Sequence, residues 1–429
     1  MAAVIEYSEN PLLIENISNL NQYLENLKCL HETFSFSEKT LVEQLEQASK
    51  QFNHFLKTCK VSTSEEHYNI PNNKIRLYRE LEARKKRAEL AFNLIPPSYL
   101  VSLVSLYDSF LSGLVRNIYN ICPEKLNENN STFCYRDVCQ YNSIQEIKQQ
   151  IIDDIIDNLL RESHIEQIKI IAKLLGVNTL TKFEDWSAFV ELTERRNLFV
   201  HTNGKISSQY IEICRKNSID VSKCKLGEQL IVDKAYFTKA YEVLYIMGIM
   251  LSQMVLRCLL LKKGGVNTEI IDRPLIEYIF DLIYNECYEM SINVSKFALG
   301  NKMEHTSFDK SFFVLNLAQA YKWIGNISKC EETLKKEDWG ALRDELIIPK
   351  LVLENKFIEA CERIEILGND NKILTMAAYR EWPIFKELRK EKQFVAIFKT
   401  IFHEDLLLNN PLTIEKLDES SEDTTITIA

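Results

Sequence analysis

Glycine and proline are scarce, at 11 and 9 in 429 residues, against ordinary usage of about 7% and 5%. So few turn formers exclude a Rossmann sheet, a P-loop enzyme and a β-sandwich, each of which depends on them. The chain reads as all-α, with long helices joined by short loops. C-x-x-C pairs are missing too, although there are 11 cysteines. The closest two, Cys134 and Cys139, have no histidine beside them and fit no zinc spacing, so no metal site and no cofactor are expected. Scattered thiols of this kind fit a reducing cytosol. G-x-S-x-G, H-E-x-x-H and G-K-[ST] are all lacking. Positive charge is in deficit, with a net charge of -9, so no whole-surface attraction to nucleic acid or anionic membrane is expected. No apolar run reaches the roughly 20 residues of a membrane span. The longest, Val243 to Leu256, is broken by Ser252 and Gln253 and reads as a buried core helix. The first residues lack a basic region followed by an apolar one. The expected location is cytoplasmic, without membrane contact.

Residues 1–94 read as an N-terminal helical region. Leu12, Ile14, Ile17, Leu20, Tyr23, Leu24 and Leu27 mark one helix; Leu41, Leu45, Ala48, Phe52 and Phe55 mark another, with Ser37 as its N-cap. A third helix, from Ile75, carries the basic run Arg84-Lys85-Lys86-Arg87. That run is either a solvated face or a strip touching RNA phosphates. Ile95-Pro96-Pro97 reads as a break, opening a second helical domain over 95–263. Its first helix carries Ser102, Ser105, Ser109 and Ser112, a small-residue stripe expected to admit a neighbouring helix closely. Further helices are expected at Ile144–Leu160, His164–Leu175 and Phe183–His201. The chain's single Gly-Gly step, Gly264-Gly265, is taken as the next boundary. Beyond it, over 266–411, Ile327–Leu334 and Phe357–Ile364 match in pattern at a separation of 30 residues. That spacing suggests a short α-solenoid related to tetratricopeptide repeats. The remainder, 412–429, is polar and acidic and reads as a disordered tail.

The segment Trp186 to Gly204 carries the chemistry. At about 100° per residue, Trp186, Phe189, Val190, Thr193, Arg196, Asn197, Val200 and His201 share one arc, so polar groups continue an apolar face. Burying them costs a few kcal/mol unless they find partners. Arg196-Asn197-Leu-Phe-Val-His201, preceded by Glu194-Arg195 and followed by Asn203-Gly204 and Tyr210, resembles the motif of HEPN-superfamily ribonucleases. The helix from Tyr99, through Tyr107 and Asp108, and the region 227–261 resemble the opening and closing helices of such domains in bacterial abortive-infection proteins. The resemblance covers about residues 95–263.

It implies a HEPN-type helical bundle cleaving RNA without a metal ion, the 2′-hydroxyl being the nucleophile. Arg196, His201 and Asn197 are then the catalytic residues. His201 moves protons near neutral pH, Arg196 holds the scissile phosphate, and Asn197 orients the imidazole or touches a phosphate oxygen. Asp108, Arg195 and Glu194 are possible supporting residues. The resemblance also implies a homodimer with a composite cleft and a tRNA or mRNA substrate. The role implied is a toxin or effector in antiviral defence or a toxin–antitoxin system, with a protein partner or trigger bound by the repeats. The alternative is a non-catalytic dimerising scaffold whose repeats bind protein.

Overall fold

The computed structural model describes residues 10–61, 68–128, 132, 134–178, 180–264, 266–300, 303–340 and 342–406. The acidic tail 412–429 lies outside them. The described chain is mainly helical, with a two-residue antiparallel ladder, Lys60–Val61 with Tyr68–Asn69, and an isolated bridge between Lys205 and Gln229. It divides into two units. The first runs up to Tyr278 and takes in Lys296–Thr306; the second holds Ile279–Ser295 and the residues from Ser307 onward.

The first unit begins with α1, Pro11–Lys57, capped by the Asn10 side chain, which accepts from the amides of Leu12 and Leu13. One helix of 47 residues replaces the two expected. No glycine or proline stands between Pro11 and Pro71, so nothing breaks it, and Ser37 turns its hydroxyl to the Tyr99 hydroxyl, 2.7 Å away. The second helix, α2, spans Ile75–Ile121 and runs straight through Pro96-Pro97. Each interior proline removes a backbone hydrogen bond, and such a residue costs about 3 kcal/mol in a helix. Burial offsets this. Just past the prolines, Tyr99 meets Phe34 of α1 edge-on at 5.4 Å, and Phe34 stacks at 3.9 Å on Phe237. The break expected at residue 95 is therefore no boundary, and the residues before it form one core with those after it.

After α3 (Tyr135–Val138) come α4 (Ile144–Arg161), α5 (His164–Leu175), α6 (Trp186–Thr202), α7 (Ser208–Lys216) and α8 (Lys234–Val255). Ser143 and Ser163 cap α4 and α5, each accepting from an amide three residues on. Among the described residues two helices are long and apolar enough to span a membrane, and the window that includes α8 is 89% buried. Tyr23 of α1 donates to the Leu244 carbonyl of α8 at 3.0 Å, its ring seated on Gly248, where a Cβ would lie 2.5 Å from it. Gly113 of α2 likewise admits Asn19, whose amide donates to the Phe110 carbonyl. Close approach rests on these glycines and not on the serine stripe. Ser102, Ser105 and Ser109 face solvent, and the first two donate back to carbonyls four residues earlier.

A π-turn, Leu256–Leu260, continues α8 into α9 (Leu261–Lys263), where Lys263 Nζ reaches the Ile121 carbonyl at 2.7 Å. Arg257 in the π-turn pairs with buried Asp272, which also receives His305 Nδ1 at 2.8 Å. Asp272 lies on α10, Thr268–Tyr284. Gly264 ends α9 with φ 77, yet the chain returns to the first unit through Asp272. The structure thus draws its boundary inside α10 and not at Gly264-Gly265.

The chain continues through α11 (Tyr288–Ala298), α12 (Ser307–Trp323), α13 (Ile327–Lys335), α14 (Asp344–Leu353), α15 (Phe357–Leu367), α16 (Met376–Glu381) and α17 (Lys392–Phe402). The turns after α12 and α14 are equivalent. Gly325 and Asn355 adopt left-handed backbone, and the following amides, of Asn326 and Lys356, each bond a carbonyl five residues back at 2.9 Å. Cys330 and Leu334 of α13, and Ala360 and Ile364 of α15, are buried at matching positions. The 30-residue pattern is therefore two helical hairpins built alike.

Candidate active site

The first half of α6 is fixed by packing. Phe189 meets Tyr107 of α2 edge-on at 5.5 Å and stacks on Trp186 at 5.6 Å. The buried set is Phe189, Val190, Leu192, Thr193, Glu194 and Leu198. The packed face expected to continue to His201 stops at Leu198: Val200 is 47% exposed and His201 is exposed. The helix ends at Asn203 and Gly204, both left-handed, with the Gly204 amide on the Leu198 carbonyl at 3.0 Å. Gly204 is needed twice over, because a Cβ there would also lie 2.5 Å from the Phe199 ring.

Where α6 leaves the core, a cavity of about 510 Å³ opens, lined by Asp108, Glu194, Arg196, Asn197 and His201. Arg161, His164 and Tyr210 contribute to the same wall. Arg196 donates from Nη1 to Asn197 Oδ1 at 3.2 Å, and its Nη2 lies 3.5 Å from Asp108 Oδ2. Its Nε is sealed from solvent without a partner. Charge-assisted N–H···O bonds are normally about 2.7–2.9 Å, so the guanidinium is held but not saturated. An unmet buried donor of this kind costs about 1–3 kcal/mol. Asp108 bridges two groups, its Oδ1 standing 3.1 Å from His164 Nε2. Burial holds the Glu194 carboxyl above the usual carboxylate range, opposed by the His164 charge and the Asn197 amide.

Two nominated groups lie elsewhere. Arg195 turns to the other side of α6, where Nε meets Glu191 at 2.7 Å, Nη1 donates to the Ile231 carbonyl, and the guanidinium stacks 3.8 Å from the Tyr236 ring. Tyr210 and Tyr236 also donate to Glu191, at 2.7 and 2.6 Å. Burial, then Glu191, pushes both phenols far above neutrality. Arg195 therefore belongs to a structural network. The run Arg84, Lys85, Lys86 and Arg87 lies on a largely exposed stretch of α2. Lys85 pairs with Glu89 and sits over the Phe52 ring. Arg84 stands 24 residues before Asp108, about 36 Å along the helix, outside the cavity.

The sequence marked His164 only as the start of an expected helix. The structure makes it the buried partner of Asp108 on the cavity wall. Its one local signal was its place as the first residue of a Ser-capped helix. Among the described residues no group of three or more His, Cys, Asp or Glu could hold a metal ion. No known protein family, curated protein or solved structure matches this chain.

Proposed function

We propose that the chain is a metal-independent endoribonuclease of HEPN type. In this reading it acts from the cytoplasm as a toxin or effector in antiviral defence or a toxin–antitoxin pair, with TPR-like repeats that bind a trigger or partner. The observation that carries the reading is the convergence of Asp108, Glu194, Arg196, Asn197 and His201 on one cavity. Arg196, with donors to spare, binds the scissile phosphate and stabilises charge on the pentacoordinate transition state. His201, exposed at the cavity wall, takes the 2′-hydroxyl proton. The 2′-oxygen then bonds to phosphorus and the 5′-oxygen leaves, giving a 2′,3′-cyclic phosphate. A homodimer would place two such sites together, concentrating positive charge in an otherwise acidic protein.

The test is direct. Purified protein, alone and with candidate triggers, is incubated with total RNA in EDTA, and cleavage ends are mapped. Cleavage leaving cyclic phosphate ends and lost in Arg196→Ala and His201→Ala supports the reading; its absence, or an absolute need for added magnesium, overturns it. The Asp108–Arg196 ion pair favours one other reading, a structural Arg196 in a non-catalytic dimerising scaffold, and that reading predicts intact RNA throughout.

A further inference from the structure

We infer that His164 is a second catalytic residue, the group that delivers a proton to the departing 5′-oxygen. The inference rests on the ribonuclease reading above and adds a proton carrier to it. Cleavage by a 2′-oxygen needs two proton transfers, one at each end of the reacting phosphate, and one imidazole serves one end. A second imidazole lines the same cavity, on a different helix.

His164 is placed for such a role from three sides. Ser163, the cap of α5, fixes the backbone it stands on. The ring is packed near Tyr107 and Phe189, at 6.2 and 6.4 Å between centroids. Asp108 Oδ1, 3.1 Å from Nε2, accepts its hydrogen, which sets the tautomer and leaves Nδ1, with no hydrogen bond to a described residue, as the exchanging nitrogen. A carboxylate holding one ring nitrogen while the other does chemistry is a recurring catalytic arrangement. Here the same carboxylate reaches Arg196 with its second oxygen. Asp108 therefore sets the proton donor and the phosphate-binding guanidinium relative to each other. The other charged groups on this wall are Glu194 from α6, Arg161 at the end of α4 and Glu162 just before α5.

The step balances as follows. His201 removes the proton of the 2′-hydroxyl, the 2′-oxygen forms a bond to phosphorus, and the bond from phosphorus to the 5′-oxygen breaks. The electron pair of that bond stays on the 5′-oxygen, which takes a proton from Nδ1 of His164 in its charged form. Water then returns each imidazole to its starting state.

The experiment compares two short single-stranded RNAs with one cleavable linkage mapped from the wild type. One carries the natural 5′-oxygen; the other has sulfur in that bridging position, a leaving group that departs without a proton. For His164→Gln the oxygen substrate should be cleaved 100-fold or more slowly, the usual size of general-acid catalysis. The sulfur substrate should stay within about threefold of the wild-type rate. Equal losses on both substrates, or no loss on oxygen, overturn the proposal. His164→Asn, whose side chain is shorter, carries the same comparison if His164→Gln does not fold. His201→Ala should fail on both substrates, because nucleophile activation precedes departure. Failure of the wild type on every RNA would instead strike the ribonuclease reading.

Discussion

Replacing Glu191 by Gln removes the charge at the centre of the network behind the cavity. The carboxylate accepts from Arg195 Nε at 2.7 Å, Tyr210 at 2.7 Å and Tyr236 at 2.6 Å. The Arg195 and Glu191 side chains are 16% and 14% exposed, so solvent screens the pair weakly. Gln keeps the volume and one acceptor oxygen, but its amide points two hydrogens where the network needs acceptors. Removing one partner of a buried ion pair costs about 3–5 kcal/mol, and a charge-assisted hydrogen bond is worth about 1.5–3 kcal/mol. Arg195 retains the Ile231 carbonyl and the Tyr236 ring, which places the loss near the lower bound, about 3 kcal/mol. Urea unfolding at neutral pH measures it as a fall in midpoint with the slope unchanged. The double variant Glu191→Gln with Arg195→Met removes both charges, keeps an acceptor oxygen for the two phenols and should recover part of the loss. A loss below about 1 kcal/mol for Glu191→Gln, or a double variant no more stable than the single, would refute this account.

Three further outcomes are expected. Glu194 binds its proton more tightly folded than unfolded, since burial raises its carboxyl. Its stabilising contribution is therefore complete below the ordinary carboxylate value of about 4.3 and is lost as pH rises through the folded value. Glu194→Gln should thus melt higher than wild type at pH 7, with the gap closing toward pH 4, and melting curves at both pH values decide it. Gly248→Val drives a branched side chain into the Tyr23 ring and should cost about 1–3 kcal/mol in urea unfolding. Truncation after Thr306 keeps Asp272 and His305 beside Arg257, whereas truncation after Gly265 strands a buried arginine. The shorter product should be less stable by about 3–5 kcal/mol, as read from denaturant midpoints of the two fragments.

Local rules reached part of this architecture. The helix ends at Ile144, His164 and Leu175 were readable because serine caps and a left-handed Gly176 act within a few residues of themselves. Pro96-Pro97 misled because the aromatic contacts that keep α2 continuous come from α1 and α8. The separate N-terminal domain failed for the same reason, since Tyr23 meets Gly248 across more than 200 residues. In the cavity, Arg196, Asn197 and His201 were readable because one helix carries them all. Arg195, one residue earlier, points about 100° away into the Glu191 network. Asp108 and His164 are 56 residues apart, and nothing short of the packing of α2 against α5 and α6 brings them together.

The π-turn at Leu256–Leu260 makes chain length matter there more than residue identity. A π-turn takes up one residue more than the α-helical spacing would, so everything after it is out of phase with α8 by about 100°. Lys263 reaches the Ile121 carbonyl only with that offset in place. A regular helix of unchanged length would turn Lys263 off its acceptor, whereas deleting one residue between 256 and 260 lets the segment relax into regular helix with Lys263 kept in place. Conservative exchange of Leu256, Leu259 or Leu260 alters packing alone. The extra residue behaves as a spacer in the reading frame of the fold.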